Sequence, residues 1–298
     1  MMHSIERNIV SKGWPDYEIL DSGNQRKLEQ FGPYILSRFE PEANWEISSS
    51  QREWQKADAV FTIHKGQQSG SWKFNRQIDQ EWLISFNKAK IQLKISKSRH
   101  IGIFPEQHPQ WSWYEKIIHQ RKSTPSILNL FAYTGIATLY SLKAGAEVTH
   151  VDSSSSAVNW AKKNIEINQL SHQPVRWIID DVMRFLGKEI RRGKRYDGII
   201  MDPPVFGRGP SGEVWKFSKE INNLFLKAIQ LLSLNPLFVI CTAYNIQIPT
   251  DEITKTLSTS QVGNTGFIQF GKLIQKSRFS TRDIAQANYL SWSAETWR

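Results

Sequence analysis

The chain has 298 residues, 40% of them hydrophobic, which suffices for one large domain and a smaller one with buried cores. Its one cysteine, Cys241, excludes an internal disulfide and any zinc or iron–sulfur site built from thiolates of this chain alone. The formal charge of +10 and the pI near 9.6 favour association with a polyanion such as RNA.

The compartment is predicted from what the sequence lacks. No window approaches the roughly 18 consecutive apolar residues that a membrane-spanning helix needs, and residues 1–10 have no apolar h-region. A lone cysteine suits a reducing compartment. We therefore expect a cytoplasmic protein without a membrane partner.

Residues 1–98 predict a small, mainly β domain with an accessory or RNA-binding role. Short alternating runs, such as Val60–His64 and Trp82–Phe86, are separated by clusters of Gly, Asn, Ser and Pro. In Ala89–Ser98, apolar residues alternate with a basic face that includes Lys90 and Lys94. These two lysines are candidate RNA contacts, and an ordinary solvated strand face is the alternative.

Residues 99–298 predict the second domain, which starts with a connector. Pro105 and Pro109 oppose a continuous helix before about Trp111. The histidines of the connector do not fall at a metal-ligand spacing with acidic partners, so we expect no metal site.

From Ser126 onward, strands and helices alternate, which predicts right-handed crossovers and a parallel sheet covered on both faces. The last two strands are joined by a loop without a convincing helix, so the final strand is expected to be antiparallel. The predicted strands are Ile127–Phe131, Glu147–Asp152, Val175–Ile179, Tyr196–Asp202, Leu237–Ala243, Phe267–Ile274 and Tyr289–Ser293, and the predicted helices are Ile136–Lys143, Ala157–Asn168, Val182–Arg191, Phe217–Leu232 and Asp251–Ser260.

Successive strands of this predicted sheet end in polar or acidic residues. Ligands of open parallel sheets bind at the carboxyl ends of the strands, and an aspartate after the second strand suits a ribose. A nucleoside-bearing cofactor near Thr134, Gly135 and Asp152 is therefore predicted. Helix N-caps on a plain scaffold are the alternative, since Gly135 alone represents the glycine-rich fingerprint in this turn. The strand-end groups are Ala132–Gly135, Asp152, Asp180–Asp181, Asp202–Pro204 and Thr242–Asn245.

Two motifs carry a family resemblance: Asn129–Gly135 reads NLFAYTG, and Asp202–Gly209 reads DPPVFGRG. They are similar to the N-L-F-x-Y-T-G and D-P-P-x-F-x-R-G motifs of class I S-adenosylmethionine-dependent methyltransferases, above all the ribosomal RNA (large-subunit) group with a small N-terminal β domain. GIFPEQ at residues 102–107 and DSGNQRKLEQFG at residues 21–32 also resemble that group. The resemblance implies an α/β fold: a Rossmann-like sheet of seven strands, the last one antiparallel, preceded by the β domain.

The resemblance also implies roles for individual residues. Asp152 would accept hydrogen bonds from the ribose hydroxyls of S-adenosyl-L-methionine, Asp181 would receive the adenine amino group, and Asp202 would lie near the transferred methyl group. The implied cofactor-binding residues are Phe104, Gln107, Asn129, Phe131, Ala132, Tyr133, Thr134, Gly135, Asp152, Ser153, Asp180, Asp181 and Asp202, and the implied catalytic residues are Asp202, Pro203, Pro204 and Phe206.

The methylated atom is less constrained. In related enzymes that methylate carbon 5 of a pyrimidine, a nucleophilic cysteine lies just beyond the fifth strand. Here Tyr244 or Asn245 stands at about that place, and Cys241 falls inside an apolar run typical of a buried core residue. We therefore favour a nitrogen target slightly over carbon 5 of cytosine.

The segment Val205–Phe217 follows the second motif and is interpreted as a loop. Phe206 is suited to stacking on a base, and Arg208 to contacting phosphate or base, with Tyr244 a further candidate substrate contact. A mobile lid without nucleic-acid specificity is the alternative. The basic run Arg191–Arg195 precedes a strand, so it is expected at the opposite end of the sheet.

The leading hypothesis is an enzyme that methylates a base of ribosomal RNA. A methyltransferase of a small molecule or protein, and a non-catalytic RNA-binding protein with the same fold, are the alternatives. The sequence does not predict an oligomeric state.

Overall fold

A computed structural model of the protein describes residues 3–64, 69–263 and 265–295. They fall into two compact units, each discontinuous along the chain: unit 1 is Met1–Ile9, Pro109–Lys272 and Ala287–Arg298, and unit 2 is Val10–His108 and Leu273–Gln286. The strands are β1 (His3–Glu6), β2 (Ile9–Ser11), β3 (Tyr17–Gly23), β4 (Arg26–Phe31), β5 (Tyr34–Phe39), β6 (Ala59–Ile63), β7 (Gly70–Phe74), β8 (Glu81–Phe86), β9 (Ala89–Lys94), β10 (Ser126–Leu130), β11 (Glu147–Asp152), β12 (Val175–Ile179), β13 (Gly198–Met201), β14 (Phe206–Arg208), β15 (Val214–Lys216), β16 (Phe238–Ala243), β17 (Phe267–Gln275) and β18 (Ile284–Ser293). The helices are α1 (Gln51–Trp54), α2 (His108–Gln120), α3 (Ile136–Lys143), α4 (Ser155–Ile167), α5 (Val182–Arg191), α6 (Phe217–Gln230) and α7 (Thr250–Ser258), with a 3-10 turn at Pro105–Gln107.

The predicted Rossmann-like sheet with an antiparallel final strand is confirmed. Its strands run β12-β11-β10-β13-β16-β18-β17 across the sheet. Strands β10, β11, β12, β13 and β16 are parallel to their neighbours in that group, whereas β18 is antiparallel to β16. A core of aliphatic and aromatic side chains packs between this sheet and helices α5, α6 and α7. The carboxyl ends of the parallel strands therefore meet at one edge.

The sheet is larger than the seven predicted strands. Among the described residues it has nine, because β1 pairs in parallel with β17 and β2 also pairs with β17. Unit 2 ends its first segment at His108, and the domain division at residue 98 stays a prediction. A short alternating strand shows which side chains are buried but not which sheet edge it will join.

Three further elements differ from the predictions. Helix α2 begins at His108 rather than near Trp111, because Pro109 lies in the first turn, where no backbone donor is required. Strand β18 begins at Ile284, five residues before the predicted Tyr289. The segment interpreted as a loop after Val205 contains the antiparallel hairpin β14–β15, whose strands of three residues are too short to give a clear alternation.

Unit 2 contains the predicted small β-rich region. Strands β3 to β7 form one sheet in sequence order, and β8 pairs with β9. The predicted alternation in β9 is confirmed, since Ile91 and Leu93 are buried. The core of this unit also encloses a charged group: Glu29 is fully buried and accepts hydrogen bonds from Arg38 at 2.7 and 2.8 Å.

Candidate active site

Four strand ends of unit 1 are joined by backbone hydrogen bonds. The amide of Ala132 donates to Val151 at 3.1 Å, which joins the ends of β10 and β11. The amide of Asp180 donates to Asp152 at 3.2 Å, and that of Asp202 to Leu130 at 3.3 Å. The predicted acidic residues at or just beyond the ends of β11, β12 and β13 therefore share one edge of the sheet, as the parallel topology requires.

The turn after β10 is held in an unusual backbone conformation. Phe131 and Tyr133 have positive φ values of 54° and 48°, and Gly135 has a φ of 75°. A β-carbon at Gly135 would lie 2.7 Å from Cβ of Ala161 in α4, so only glycine allows α3 and α4 to approach this closely. The packing of α3 against α4 thus constrains the conformation of the turn, and Thr134 is buried within the turn.

Asn129 lies beneath this turn rather than on its surface. Its side chain is buried and its amide donates to Oγ1 of Thr138 at 3.0 Å, which in turn contacts Nδ1 of His150 at 3.0 Å. Burial and the nearby charge of Lys162 lower the pKa of His150 to about 3, so its ring is neutral near pH 7. This polar chain joins β10, α3 and β11, and the cofactor contact of Asn129 stays a prediction.

Asp152 has the geometry expected of a ribose acceptor. Its Oδ2 accepts the amide of Tyr133 at 2.8 Å and its Oδ1 accepts the amide of Ser154 at 2.8 Å. Burial raises the pKa of this carboxyl, and the two amides counteract part of that rise. An ionised carboxylate offers about four acceptor positions, so capacity for two further donors remains. The neighbouring Ser153 is half-buried.

The two aspartates after β12 have different partners. Asp181 is the N-cap of α5, and its Oδ1 accepts the amide of Arg184 at 2.8 Å. The alternative role of helix N-cap is therefore confirmed for one of its two carboxylate oxygens. Asp180 is buried and ion-paired with Arg184 and with Lys188, the latter at 2.8 Å. Although burial acts to raise the pKa of Asp180, the hydrogen bonds from Lys188 and Arg184 outweigh it and lower that pKa.

The Asp202–Pro204 corner leads directly into the β14–β15 hairpin. Pro203 is buried, and the carbonyl of Pro204 accepts the indole N–H of Trp215 at 2.6 Å. The Trp215 ring is buried and lies 5.1 Å from that of Phe131, centroid to centroid. The hairpin is therefore anchored to the turn after β10.

The opposite face of the hairpin is open to solvent. Phe206 is 52% exposed and pairs across the hairpin with Lys216, while Arg208 pairs with Val214. Because side chains alternate between the faces of a strand, these four project from the face opposite Trp215. An aromatic ring flanked by two cations is the arrangement expected of a surface for a nucleobase and its phosphates.

The thiol of Cys241 is not placed as a nucleophile. Cys241 is fully buried inside β16, and burial, with a contribution from Asp202, raises the pKa of its thiol well above the ordinary value. Beyond β16, Tyr244 is half-buried and Asn245 is exposed with a φ of 56°. A buried thiol of raised pKa is neutral near pH 7 and a poor nucleophile.

The remaining predicted site residues belong to unit 2. Phe104 precedes the 3-10 turn that contains Gln107, and its ring lies 5.2 Å from that of His100. Lys90 and Lys94 are exposed on β9, where Lys94 forms an ion pair of 2.8 Å with Glu81. Their roles stay predictions.

Sequence reasoning missed three residues of this edge. Ile179, the last residue of β12, is 49% exposed beside Asp180, unlike the core residues of the other strands. Lys216 was not predicted as a site residue, because its place opposite Phe206 depends on the β14–β15 hairpin, which was interpreted as a loop. Arg184 lies one helical turn beyond Asp180, and the i to i+4 spacing of opposite charges was the available signal.

The strand order, the antiparallel final strand and the acidic residues at the strand ends define a class I S-adenosylmethionine-dependent methyltransferase. A model of the S-adenosylmethionine-dependent methyltransferase family matches residues 55–238, and the chain belongs to that family. The chain is also similar to the crystal structure of an S-adenosylmethionine-dependent methyltransferase from Agrobacterium tumefaciens: the TM-score is 0.92 at 34% identity, covering 99% of this chain and 96% of that one. A solved structure from Streptococcus mutans, with a TM-score of 0.69 at 17% identity over 93% of this chain and 75% of that one, shows the shared fold alone.

Curated relatives match part of the chain. A ribosomal RNA large subunit methyltransferase I from Pseudoalteromonas translucida is 34% identical over 125 residues, which are 42% of this chain and 31% of the relative. A ribosomal RNA large subunit methyltransferase K from Neisseria meningitidis is 28% identical over 155 residues, 51% of this chain and 43% of the relative. The chain thus matches less than half the length of these relatives.

The strand-end geometry fits the family's cofactor, S-adenosyl-L-methionine. Asp152 has acceptor positions that would suit the ribose diol, and the exposed Ile179 would give a planar base an apolar contact at the adjacent strand end.

Within residues 3–64, 69–263 and 265–295, no helix is long and apolar enough to cross a membrane. In the same residues, no cluster of three or more His, Cys, Asp or Glu side chains is arranged to hold a metal ion.

Proposed function

We propose that the protein methylates a base of large-subunit ribosomal RNA in the cytoplasm, with a nitrogen atom favoured over carbon 5 of cytosine. The names of the curated relatives, ribosomal RNA large subunit methyltransferases I and K, support the substrate class. The net charge of +10 supports a polyanionic substrate.

The observation that carries the proposal is the exposed face of the β14–β15 hairpin. Phe206 is exposed four residues after Asp202, with Lys216 directly opposite and Arg208 two residues on. Stacking on an aromatic ring stabilises a bound base by about 1–3 kcal/mol. An unpaired nucleotide would stack on Phe206 with its phosphates beside the two cations.

The Asp202–Pro204 corner would orient the base. The bound cofactor supplies a methyl group on a positively charged sulfur, and transfer requires in-line alignment of the accepting atom with that methyl. Pro203 and Pro204 have no backbone N–H, and the Pro204 carbonyl is already occupied by Trp215. The Asp202 carboxylate and the Pro203 carbonyl are the candidate acceptors for an amine N–H of the base, and the carboxylate would also receive the proton that nitrogen releases on methylation.

The nitrogen target is supported by the position of the thiol. Transfer to carbon 5 requires a thiolate that adds to the pyrimidine ring. Cys241 is fully buried with a raised pKa, and the chain has no other cysteine. Nitrogen methylation needs no covalent bond between enzyme and base.

The test uses ribosomal RNA from a strain that lacks this protein, incubated with the purified protein and a radiolabelled methyl donor. We expect one labelled nucleotide, identified by mass mapping, and a loss of at least tenfold in methylation by Phe206→Ala with unchanged cofactor affinity. Labelling of protein or of small molecules instead of RNA would overturn the proposal in favour of another methyltransferase substrate. No transfer at all, with RNA still bound, would indicate a non-catalytic RNA-binding protein.

A further inference from the structure

An ion cluster joins the cofactor side of the site to the substrate-side hairpin through Arg184. This arginine, in the first turn of α5, contacts Asp180 at the end of β12, with Nε donating to Oδ1 at 2.6 Å. Its Nη1 also contacts Glu213 Oε1 at 2.6 Å and donates to the Ser211 hydroxyl at 3.1 Å. One side chain therefore spans two elements that are separated by more than twenty residues in sequence.

The tip of the hairpin is organised around the same contacts. Glu213 accepts the amide of Ser211 at 2.9 Å, and the amide of Gly209 donates to the Glu213 carbonyl at 2.8 Å. A β-carbon at Gly209 would displace the Glu213 side chain from its present position, so glycine favours this close approach. The tip is thus folded around the carboxylate that Arg184 binds.

The hairpin is consequently attached at both ends. Trp215 anchors its base to Pro204 and to the ring of Phe131, while Arg184 anchors its tip to Asp180. Lys188 donates to the second oxygen of Asp180 at 2.8 Å, so the Asp180 carboxylate is paired with two cations, Lys188 and Arg184.

We infer that Arg184 is a positioning residue for the methyl-transfer reaction, holding the exposed Phe206, Arg208 and Lys216 at a fixed place relative to the cofactor edge by binding Glu213 and Asp180 together. The inference rests on the proposed function, because it assigns the hairpin face to the RNA substrate. A planar guanidinium suits this role, since its several N–H groups bind two carboxylates at once in fixed directions. A flexible tip would lower the fraction of bound RNA that reaches the aligned geometry.

Glu213→Gln is the most direct test, because it removes the charge at the tip and leaves the Asp180 pair intact. We expect kcat/KM for ribosomal RNA to fall by about 3- to 10-fold, within the net contribution of one ordinary hydrogen bond, while the dissociation constant for S-adenosyl-L-methionine stays within twofold. Arg184→Met should cause at least the same loss, and the double variant no more than Arg184→Met alone. The matched control is Arg191→Met, the same substitution at the other, exposed end of α5.

Hydrogen exchange of residues 205–216 provides a readout that does not depend on activity. The amides of the tip should exchange faster in Glu213→Gln and Arg184→Met than in wild type or in Arg191→Met. Unchanged exchange in Glu213→Gln would overturn the inference, whether or not turnover falls, since Arg184 and Glu213 would then not hold the tip. Failure of wild type to methylate RNA would refute the proposed function, whereas faster tip exchange in both variants than in wild type would still support the attachment through Arg184 and Glu213. If Arg184→Met does not fold, Glu213→Gln decides the outcome.

Discussion

The backbone amide of Tyr133 donates to Oδ2 of Asp152 at 2.8 Å, so the turn after the first strand of the parallel sheet is tied to the end of the second. The same carboxylate also accepts the amide of Ser154. Asp152 thus fixes the shape of this strand-end turn, and in its proposed role it would also offer acceptor positions to the ribose of the cofactor. This double role predicts that removing the carboxylate affects binding more than one lost hydrogen bond would.

Asp152→Ala is expected to weaken S-adenosyl-L-methionine binding by about 10- to 100-fold, since two hydrogen bonds are lost, each with a net contribution of about 0.5–1.5 kcal/mol. Isothermal titration calorimetry measures the effect. Asp152→Asn, which keeps one acceptor, should show a smaller loss. Asp251→Ala, at an exposed aspartate of α7, is the control and should match wild type. Equal affinity of Asp152→Ala and wild type would remove Asp152 from the cofactor site.

Gly135→Ala should destabilise the protein more than Gly193→Ala does. Both glycines have positive φ values, 75° and 65°, but a β-carbon at Gly193 meets nothing within 4 Å, whereas one at Gly135 lies 2.7 Å from Cβ of Ala161. The strained backbone alone costs about 1–2 kcal/mol in either variant. The difference between the two variants in free energy of unfolding therefore measures the cost of the collision.

Adding Ala161→Gly to Gly135→Ala removes the colliding methyl group and should restore part of the free energy of unfolding, as measured by denaturant titration. If the loss in free energy of unfolding of the double variant equals the sum of the losses of the two single variants, the collision with Ala161 is not the cause of the destabilisation.

Cys241→Ala is expected to retain methylation of ribosomal RNA within about twofold while lowering the free energy of unfolding by about 1 kcal/mol, typical of a small core truncation. The physical reason is that the thiol packs in the core and does not reach the substrate. Thiol-reactive reagents should label native wild type slowly and the unfolded chain rapidly. Loss of transfer in a folded Cys241→Ala, with a covalent RNA adduct in wild type, would revive carbon-5 chemistry.

The stability of the protein should fall on acidification through the range in which His150 protonates in the unfolded chain. Burial lowers the pKa of His150 from 6.5 to about 3, so between these values the unfolded state binds more protons than the folded state. The free energy of unfolding therefore rises with pH across that window and decreases as pH falls below about 6.5.

His150→Gln should make that pH dependence shallower, as followed by denaturant titration at pH 7, 6 and 5. His172→Gln, at an exposed histidine of the same unit, should leave the slope as in wild type. An identical slope in His150→Gln would show that other groups, such as His100 and His108, cause the acid sensitivity.

The sequence by itself determined the class of fold and the edge of the sheet at which the acidic strand ends meet. The bounds of β11, β12, α3 and α5 follow from apolar periodicity and from the polar residues at the strand ends. These signals are local, since a strand of the parallel sheet and the turn after it lie within a few residues of each other. The placement of Asp152, Asp180 and Asp202 on one edge follows from parallel strands in turn.

Tertiary structure alone decided the features that depend on contacts distant in sequence. It placed β1 beside β17, Asn129 beneath the turn after β10, and Arg184 between Asp180 and Glu213. Each of these depends on which distant side chain or strand edge happens to be adjacent, and the residue pattern of a single segment carries no such information.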